Sequence, residues 1–277
     1  MGSKDHVLKF RGRELVLGEK THIVGILNAT PDSFSDGGLF PRVDDALRRI
    51  ESMVQEGASF VDIGGESTRP NFDPISEKEE ASRVLPIIEL AKRQFPDIIL
   101  SIDTTKSSVA KKALQAGVDI INDISGFQGD PDMALVVADA RAACVLMRNA
   151  RIVPIVGETI DSIFRFWEKS LAVAEKAGVT RNRIILDPGI GFGTTREQDL
   201  DILRNVARLR ALGFALMIGV SRKRVTGELL DLPADQRLET TLATTVCAIQ
   251  GGVDFLRVHD VKENARAVAM ADLIYRT

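Results

Sequence analysis

Short runs of consecutive apolar residues alternate along the chain with longer stretches whose apolar residues recur every three or four positions. The short runs, at 23–27, 60–64, 98–102, 119–122, 143–147, 183–187, 215–219 and 254–258, are rich in Val, Ile and Leu. Most are apolar on both sides, as strands covered on both faces are. The longer stretches predict helices. At 44–56, Ala46, Leu47, Ile50, Met53 and Val54 share one face. At 76–94, Ser76 and Glu79 make a capping-box pattern, and Val84, Ile87, Ile88 and Ala91 follow at helical spacing, with Pro86 as an expected kink. Further helices are predicted at 106–116, 131–140, 159–177, 197–212, 233–250 and 261–275. Gly57, Gly117, Gly178, Gly213 and Gly251 stand at C′ positions, where helices stop.

Eight strands and eight helices in strict alternation predict parallel pairing with helical crossovers. A (β/α)₈ barrel is the natural closure, since such barrels use about 250 residues as one unit. A doubly wound open sheet is the rival, and it would gather functional residues at one switch point instead of around all the strands. The segment 8–16, with Gly12 between two short β-like runs, reads as a β-hairpin ahead of the barrel. With no low-complexity linker and no charge block, residues 1–277 read as a single domain.

Composition narrows the setting. Of 277 residues, 44% are hydrophobic and 27% charged, which excludes disordered, collagen-like and coiled-coil chains. Basic residues number 36 and acidic ones 39, so no basic surplus points to nucleic acid or a membrane surface, and any bound anion needs a local cluster. Cys144 and Cys247 make neither a metal spacing nor a disulfide framework. No apolar run is long enough to span a bilayer, and Met1 to His6 carry no apolar signal region or myristoylation pattern. The expectation is a soluble, cytoplasmic protein.

Polar residues collect where the strands end. They include Asn28, Arg69, Asp103, Asn122, Asp187, the Ser221-Arg222-Lys223 run, Arg257 and His259. In a barrel all these points lie on the C-terminal rim, where catalytic groups gather. One strand-end Asp alone reads more readily as a helix cap or loop ligand than as a catalytic group, His259 alone as a structural histidine, and the run 189–193 (GIGFG) as a tight loop. Seven strand ends of this kind read as a site. Asp103, Asn122, Asp187 and Lys223 offer acceptors and donors to line a flat heterocycle. Asn28, Arg69, Arg257 and His259 form a second, donor-rich cluster suited to phosphate or diphosphate, helped by the N-terminus of the final helix.

At these residues the chain resembles the dihydropteroate synthases of the pterin-binding barrel family. The likeness runs from about residue 23 to 275 as eight successive units. It is carried by 28–38 (NATPDSFSDGG), 62–70 (DIGGESTRP), 101–104 (SIDT), 121–126 (INDISG), 186–193 (LDPGIGFG), 221–223 (SRK) and 257–261 (RVHDV). The resemblance implies that a 6-hydroxymethyl-7,8-dihydropterin diphosphate loses pyrophosphate while the amine of 4-aminobenzoate takes its place, giving 7,8-dihydropteroate. It implies catalytic and pterin-binding roles for Asp103, Asp187 and Lys223, with Asn122 also on the pterin. It implies pyrophosphate binding by Asn28, Arg69, Arg257 and His259, with Mg²⁺ as cofactor and Asn28 as its protein ligand. Pro31, Phe34, Thr68, Pro70, Phe192, Ser221 and Arg224 would build the aminobenzoate pocket that sulfonamides mimic their way into. It also implies a homodimer contacting through the last helices.

The chemistry this implies needs no covalent nucleophile. Diphosphate leaves a carbon attached to an electron-rich ring, so the protein must stabilise a departing anion and a pterin cation. The chain departs from the family pattern in three places: Arg224 and Val225 follow SRK, Met147-Arg148-Asn149 with the short apolar connection 152–156 follows the fifth barrel strand, and Thr194 follows GFG. They keep two alternatives open, a non-catalytic or altered-specificity pterin-binding paralogue and a methyltetrahydrofolate methyltransferase. The pyrophosphate cluster argues against the second.

Overall fold

A computed structural model describes residues 7–29, 39–67, 73–227 and 230–276. The chain opens with an antiparallel hairpin, β1 (Val7–Phe10) and β2 (Arg13–Val16), turned by Arg11 and Gly12, both at positive φ. Eight parallel strands follow: β3 (His22–Asn28), β4 (Phe60–Gly64), β5 (Leu100–Asp103), β6 (Ile120–Asp123), β7 (Ala143–Met147), β8 (Ile184–Asp187), β9 (Ala215–Ile218) and β10 (Phe255–Val258). They pair in sequence order, and β10 pairs with β3 to close the barrel. The barrel and its leading hairpin are as expected, and the open sheet is excluded.

Two apolar layers hold the barrel. Inside, Val24, Phe60, Val145, Ile185, Met217 and Phe255 pack at the N-terminal ends of the strands, and Leu8, Phe10 and Leu17 of the hairpin region close that end. Outside, the opposite faces of the same strands meet the helices, as with Ile63, Ile102, Ile121 and Leu146 against Val84, Ile88, Val109 and Trp167. The filled base leaves the C-terminal rim as the place where polar side chains converge.

Between the strands run α1 (Leu39–Gln55), α2 (Glu77–Gln94), α3 (Ser107–Gln115), α4 (Met133–Asp139), α5 (Thr159–Ala177), α6 (Arg196–Arg204), α7 (Val206–Arg210) and α8 (Leu238–Gln250), with α9 (Val261–Tyr275) last. Several details differ from the sequence expectation. Ser76 caps α2 by accepting from the Glu79 amide, but the Glu79 side chain turns to Arg83, so the box is half made. The reciprocal box is at Thr195 and Gln198, opening α6. The stretch 197–212 breaks at Asn205, whose side-chain amide donates to the Asp201 carbonyl and ends α6. Pro86 is accommodated within α2, which runs on to Gln94. Gly57, Gly117, Gly178 and Gly213 take positive φ as expected, whereas after α8 that role falls to Gly252, with Gly251 still right-handed.

Candidate active site

The floor of the cup is built by inward-facing residues one or two rungs below the rim. Asp62, in the middle of β4, is 1% exposed and accepts three hydrogen bonds. These come from Ser101 Oγ at 2.6 Å, Asn122 Nδ2 at 2.9 Å and Arg257 Nε at 2.7 Å. The same guanidinium donates from Nη2 to Asp103 Oδ2 at 3.0 Å. Neighbouring strands β4, β5 and β6 thus share one network with β10, held by a planar fork that reaches two carboxylates at once. Asn122 gives its amide N–H to Asp62, and its Oδ1 is buried with no partner. A buried acceptor left unpaired is costly, so this atom marks where a ligand N–H belongs.

The wall beside the floor comes from β8 and the loops after β8 and β9. Asp187 Oδ1 accepts from the Gly189 amide at 2.8 Å. Gly189 has φ 74°, and a Cβ there would stand 1.8 Å from the Arg148 carbonyl oxygen, so the turn that holds Asp187 requires glycine. Lys223 Nζ donates to the Ile190 carbonyl at 2.6 Å and lies 4.7 Å from the centre of the Phe192 ring. Arg151 lies 5.1 Å from the same ring, so the Phe192 side chain stands among cations.

Electrostatics follow from this geometry. Burial pushes the Asp103 carboxyl up to about 7, although Arg257 pulls it down. Burial raises Asp187 as well, opposed first by Lys223. Loss of hydration lowers the Lys223 ammonium to about 8, against the pull of Asp187. For Arg257, burial works against the charge, and Asp62 and Asp103 outweigh it, so its guanidinium is held charged.

A second group sits where β9 and β10 end. Ser221 Oγ lies 3.0 Å from His259 Nδ1, and Arg222 makes a two-pronged pair with Asp260. Burial, with Arg257 and Arg222 nearby, holds His259 down to about 3, so its ring is neutral. Arg224 donates to the Thr194 carbonyl at 3.2 Å, across the loop that follows Phe192.

Asp103, Asn122, Asp187, Lys223 and Arg257 therefore share one cup, with Ser221 and His259 on its rim. Asn28 ends β3, half-buried and in register with Gly64. Arg69, Pro31, Phe34, Thr68 and Pro70 lie outside the described residues. Two side chains have protein partners that the sequence reading did not name. Arg257 does not stand apart in a cationic half; it is clamped by Asp62 and Asp103, because a buried guanidinium needs counter-charges within hydrogen-bond reach. Ser221 Oγ is held by His259, through Nδ1 and the backbone N–H. Asp62 was missed as a site residue; its signal was a lone acid inside the apolar run FVDIG.

A barrel whose open end carries acids, an orphaned amide oxygen and two held cations defines a protein that grips a polar heterocycle. A family model described as pterin binding enzyme matches residues 24–259. The chain belongs to that family. It is 47% identical to the dihydropteroate synthase of Clostridium beijerinckii over 97% of this chain and 100% of that one. It superposes with a TM-score of 0.92 on a crystal structure of dihydropteroate synthase from Clostridium difficile obtained in the presence of pteroic acid. That protein is 44% identical, with 95% of this chain and 100% of the other covered. The TM-score is also 0.92 for Xanthomonas albilineans dihydropteroate synthase with 4-aminobenzoic acid, at 36% identity and 98% coverage of both chains.

Proposed function

We propose that the chain is a transferase that condenses a 6-hydroxymethyl-7,8-dihydropterin diphosphate with 4-aminobenzoate, releasing pyrophosphate and forming 7,8-dihydropteroate. The observation that carries this is the unpaired Asn122 Oδ1 beside the Asp62–Arg257–Asp103 clamp, an acceptor surrounded by fixed charge. Asn122 Oδ1 and Asp187 accept the ring N–H and amino groups, and Lys223 donates to a ring oxygen or nitrogen while Phe192 covers the ring. Three carboxylates, Asp62, Asp103 and Asp187, face two cations, Arg257 and Lys223, so the cup favours a ring gaining positive charge as its leaving group departs. Asp103 and Asp187 supply that stabilisation. Asn28, Arg69 and His259 hold the departing diphosphate by donation, and the neutral His259 ring does so without needing a proton of its own.

Mg²⁺ belongs to this reading as an ion carried on the diphosphate. Among the described residues no three His, Cys, Asp or Glu side chains form a cluster that could hold a metal. The amide oxygen of Asn28 is a hard donor, compatible with one position on an ion otherwise held by phosphate oxygens and water. Bound there, the ion would neutralise charge building on the leaving group.

Pro31, Phe34, Thr68, Pro70 and Phe192, with Arg224 at the margin, form the 4-aminobenzoate side. Arg224→Ser tests that margin by changing the affinity for 4-aminobenzoate and for sulfonamides; equal affinities dismiss it. No helix among the described residues is long and apolar enough to cross a membrane, in keeping with a cytoplasmic enzyme. Exposed Met270, Leu273 and Ile274, one apolar strip on α9, support self-association as a homodimer. The test of the whole reading is a pyrophosphate-release assay. Release must need both substrates and match dihydropteroate formed. Tight pterin binding without release favours a non-catalytic paralogue.

A further inference from the structure

Ser221 is 4% exposed, and its hydroxyl touches His259 twice. It accepts from the His259 backbone N–H at 3.2 Å and lies 3.0 Å from Nδ1 of the same residue. A hydroxyl has one hydrogen to give, and a buried one must give it to an acceptor. Among the described residues Nδ1 is the acceptor in reach. An Nδ1 that accepts carries no hydrogen, so the neutral ring must carry its hydrogen on Nε2.

The surroundings hold this pair in place. Arg222, directly after Ser221, has φ 58°, a left-handed backbone rare for a non-glycine residue. It is kept there by the two-pronged pair with Asp260, by the Thr241 hydroxyl accepting from its amide at 3.3 Å, and by Arg237 donating to its carbonyl at 3.1 Å. On the other side, Arg49 donates to the His259 carbonyl at 2.9 Å. The ends of β9 and β10 are thus tied by Ser221 to His259 and by Arg222 to Asp260, and neither ring nor hydroxyl has freedom to exchange roles. Backbone strain kept by three separate contacts is the mark of a position set for function.

We infer that Ser221 is a positioning residue that locks His259 in the Nε2–H form, so that the histidine presents a fixed, uncharged donor to an anionic leaving group. This rests on the reading of His259 as a diphosphate contact. Orientation of one ring nitrogen by a partner on the other is the device that metal-binding histidines use, here serving an anion instead.

The test separates the two levels. In ¹⁵N-histidine-labelled protein, with the His259 signals assigned by their loss in His259→Gln, Nδ1 must read as unprotonated and Nε2 as protonated between pH 6 and 8. Ser221→Ala must produce a tautomer mixture and weaken binding of inorganic pyrophosphate with Mg²⁺ by about tenfold, the loss of one oriented hydrogen bond to a charged group. Ser221→Thr, which keeps the hydroxyl, must restore both. A protonated Nδ1 in the parent protein, or an unchanged tautomer in Ser221→Ala, overturns the assignment. A tautomer change with unaltered pyrophosphate affinity upholds the Ser221 lock and overturns the diphosphate role of His259.

Discussion

Arg257 Nη2 lies 3.0 Å from Asp103 Oδ2, while Nε of the same guanidinium lies 2.7 Å from Asp62. The cation of β10 is thereby the bridge between two acids on neighbouring strands. A lysine has no fork and reaches one of them. Arg257→Lys is expected to lower kcat/KM for the pterin substrate by about 10²-fold, the loss of one charge-assisted bond in a buried network. Asp62→Asn should cost a similar amount, and the double variant less than the two together, because both break one network. Steady-state kinetics on the four proteins of that cycle check this; additive losses contradict it.

The pH profile follows from two groups in the same cup. Asp103 is pushed up to about 7 and Lys223 down to about 8, so both carry charge together only in a narrow window. The expected kcat/KM profile is a bell peaking between them. Asp103→Asn should remove the acid limb, and Lys223→Arg, which keeps its charge, the alkaline limb. Stability has its own sign. The folded Asp103 pKa lies above its ordinary 3.8, so the folded state holds a proton that the unfolded state releases. That contribution is complete below about 4 and is lost as pH rises through about 7. Melting curves from pH 5 to pH 8 should therefore show a smaller fall for Asp103→Asn than for the parent.

Arg148 is fully buried, with Nε and Nη1 unpartnered and Nη2 donating to the Val153 carbonyl at 2.7 Å. Burial alone pulls its guanidinium down to about 10. Val153 is partly exposed, so water can take over its carbonyl. Arg148→Met keeps the stem and removes the unpaired charge, and it is expected to stabilise by about 1–3 kcal/mol in denaturant unfolding. A lower midpoint would show that the guanidinium holds the 149–153 turn more strongly than burial opposes it.

Lys106 pairs with both Glu66 and Glu80, and Glu80 is fully buried with Oε1 unpartnered. Removing the cation leaves that carboxylate uncompensated. Lys106→Met should destabilise by about 3 kcal/mol, and Lys106→Arg by much less. Equal stability of the Met variant and the parent contradicts this.

Much of this site was legible in sequence because buried parallel strands read as plain apolar runs, and the polar residues that interrupt them stand out. Asp103, Asn122, Asp187 and Lys223 were found that way. Asp62 was hidden by the same logic, since it lies inside a strand, where an acid reads as an oddity of the run. A strand-end arginine announces a cation but not its counter-charge; only closure of β10 onto β3, which in turn pairs with β4, brings Arg257 to Asp62. The Ser221–His259 pair likewise joins residues 38 apart in sequence. Helix ends were less legible where two choices were chemically close, as with Gly251 against Gly252.

In the proposed reading the pterin ring sits on the Asp62–Arg257–Asp103 floor with its N–H groups on Asn122 and Asp187. A crystal structure of this chain with pteroic acid would show whether it does. The ring is expected within hydrogen-bond distance of Asn122 Oδ1 and of an Asp187 carboxylate oxygen, covered by Phe192, with the Arg257 clamp intact. A ring bound elsewhere on the rim, or an Asn122 Oδ1 still without a partner, contradicts it.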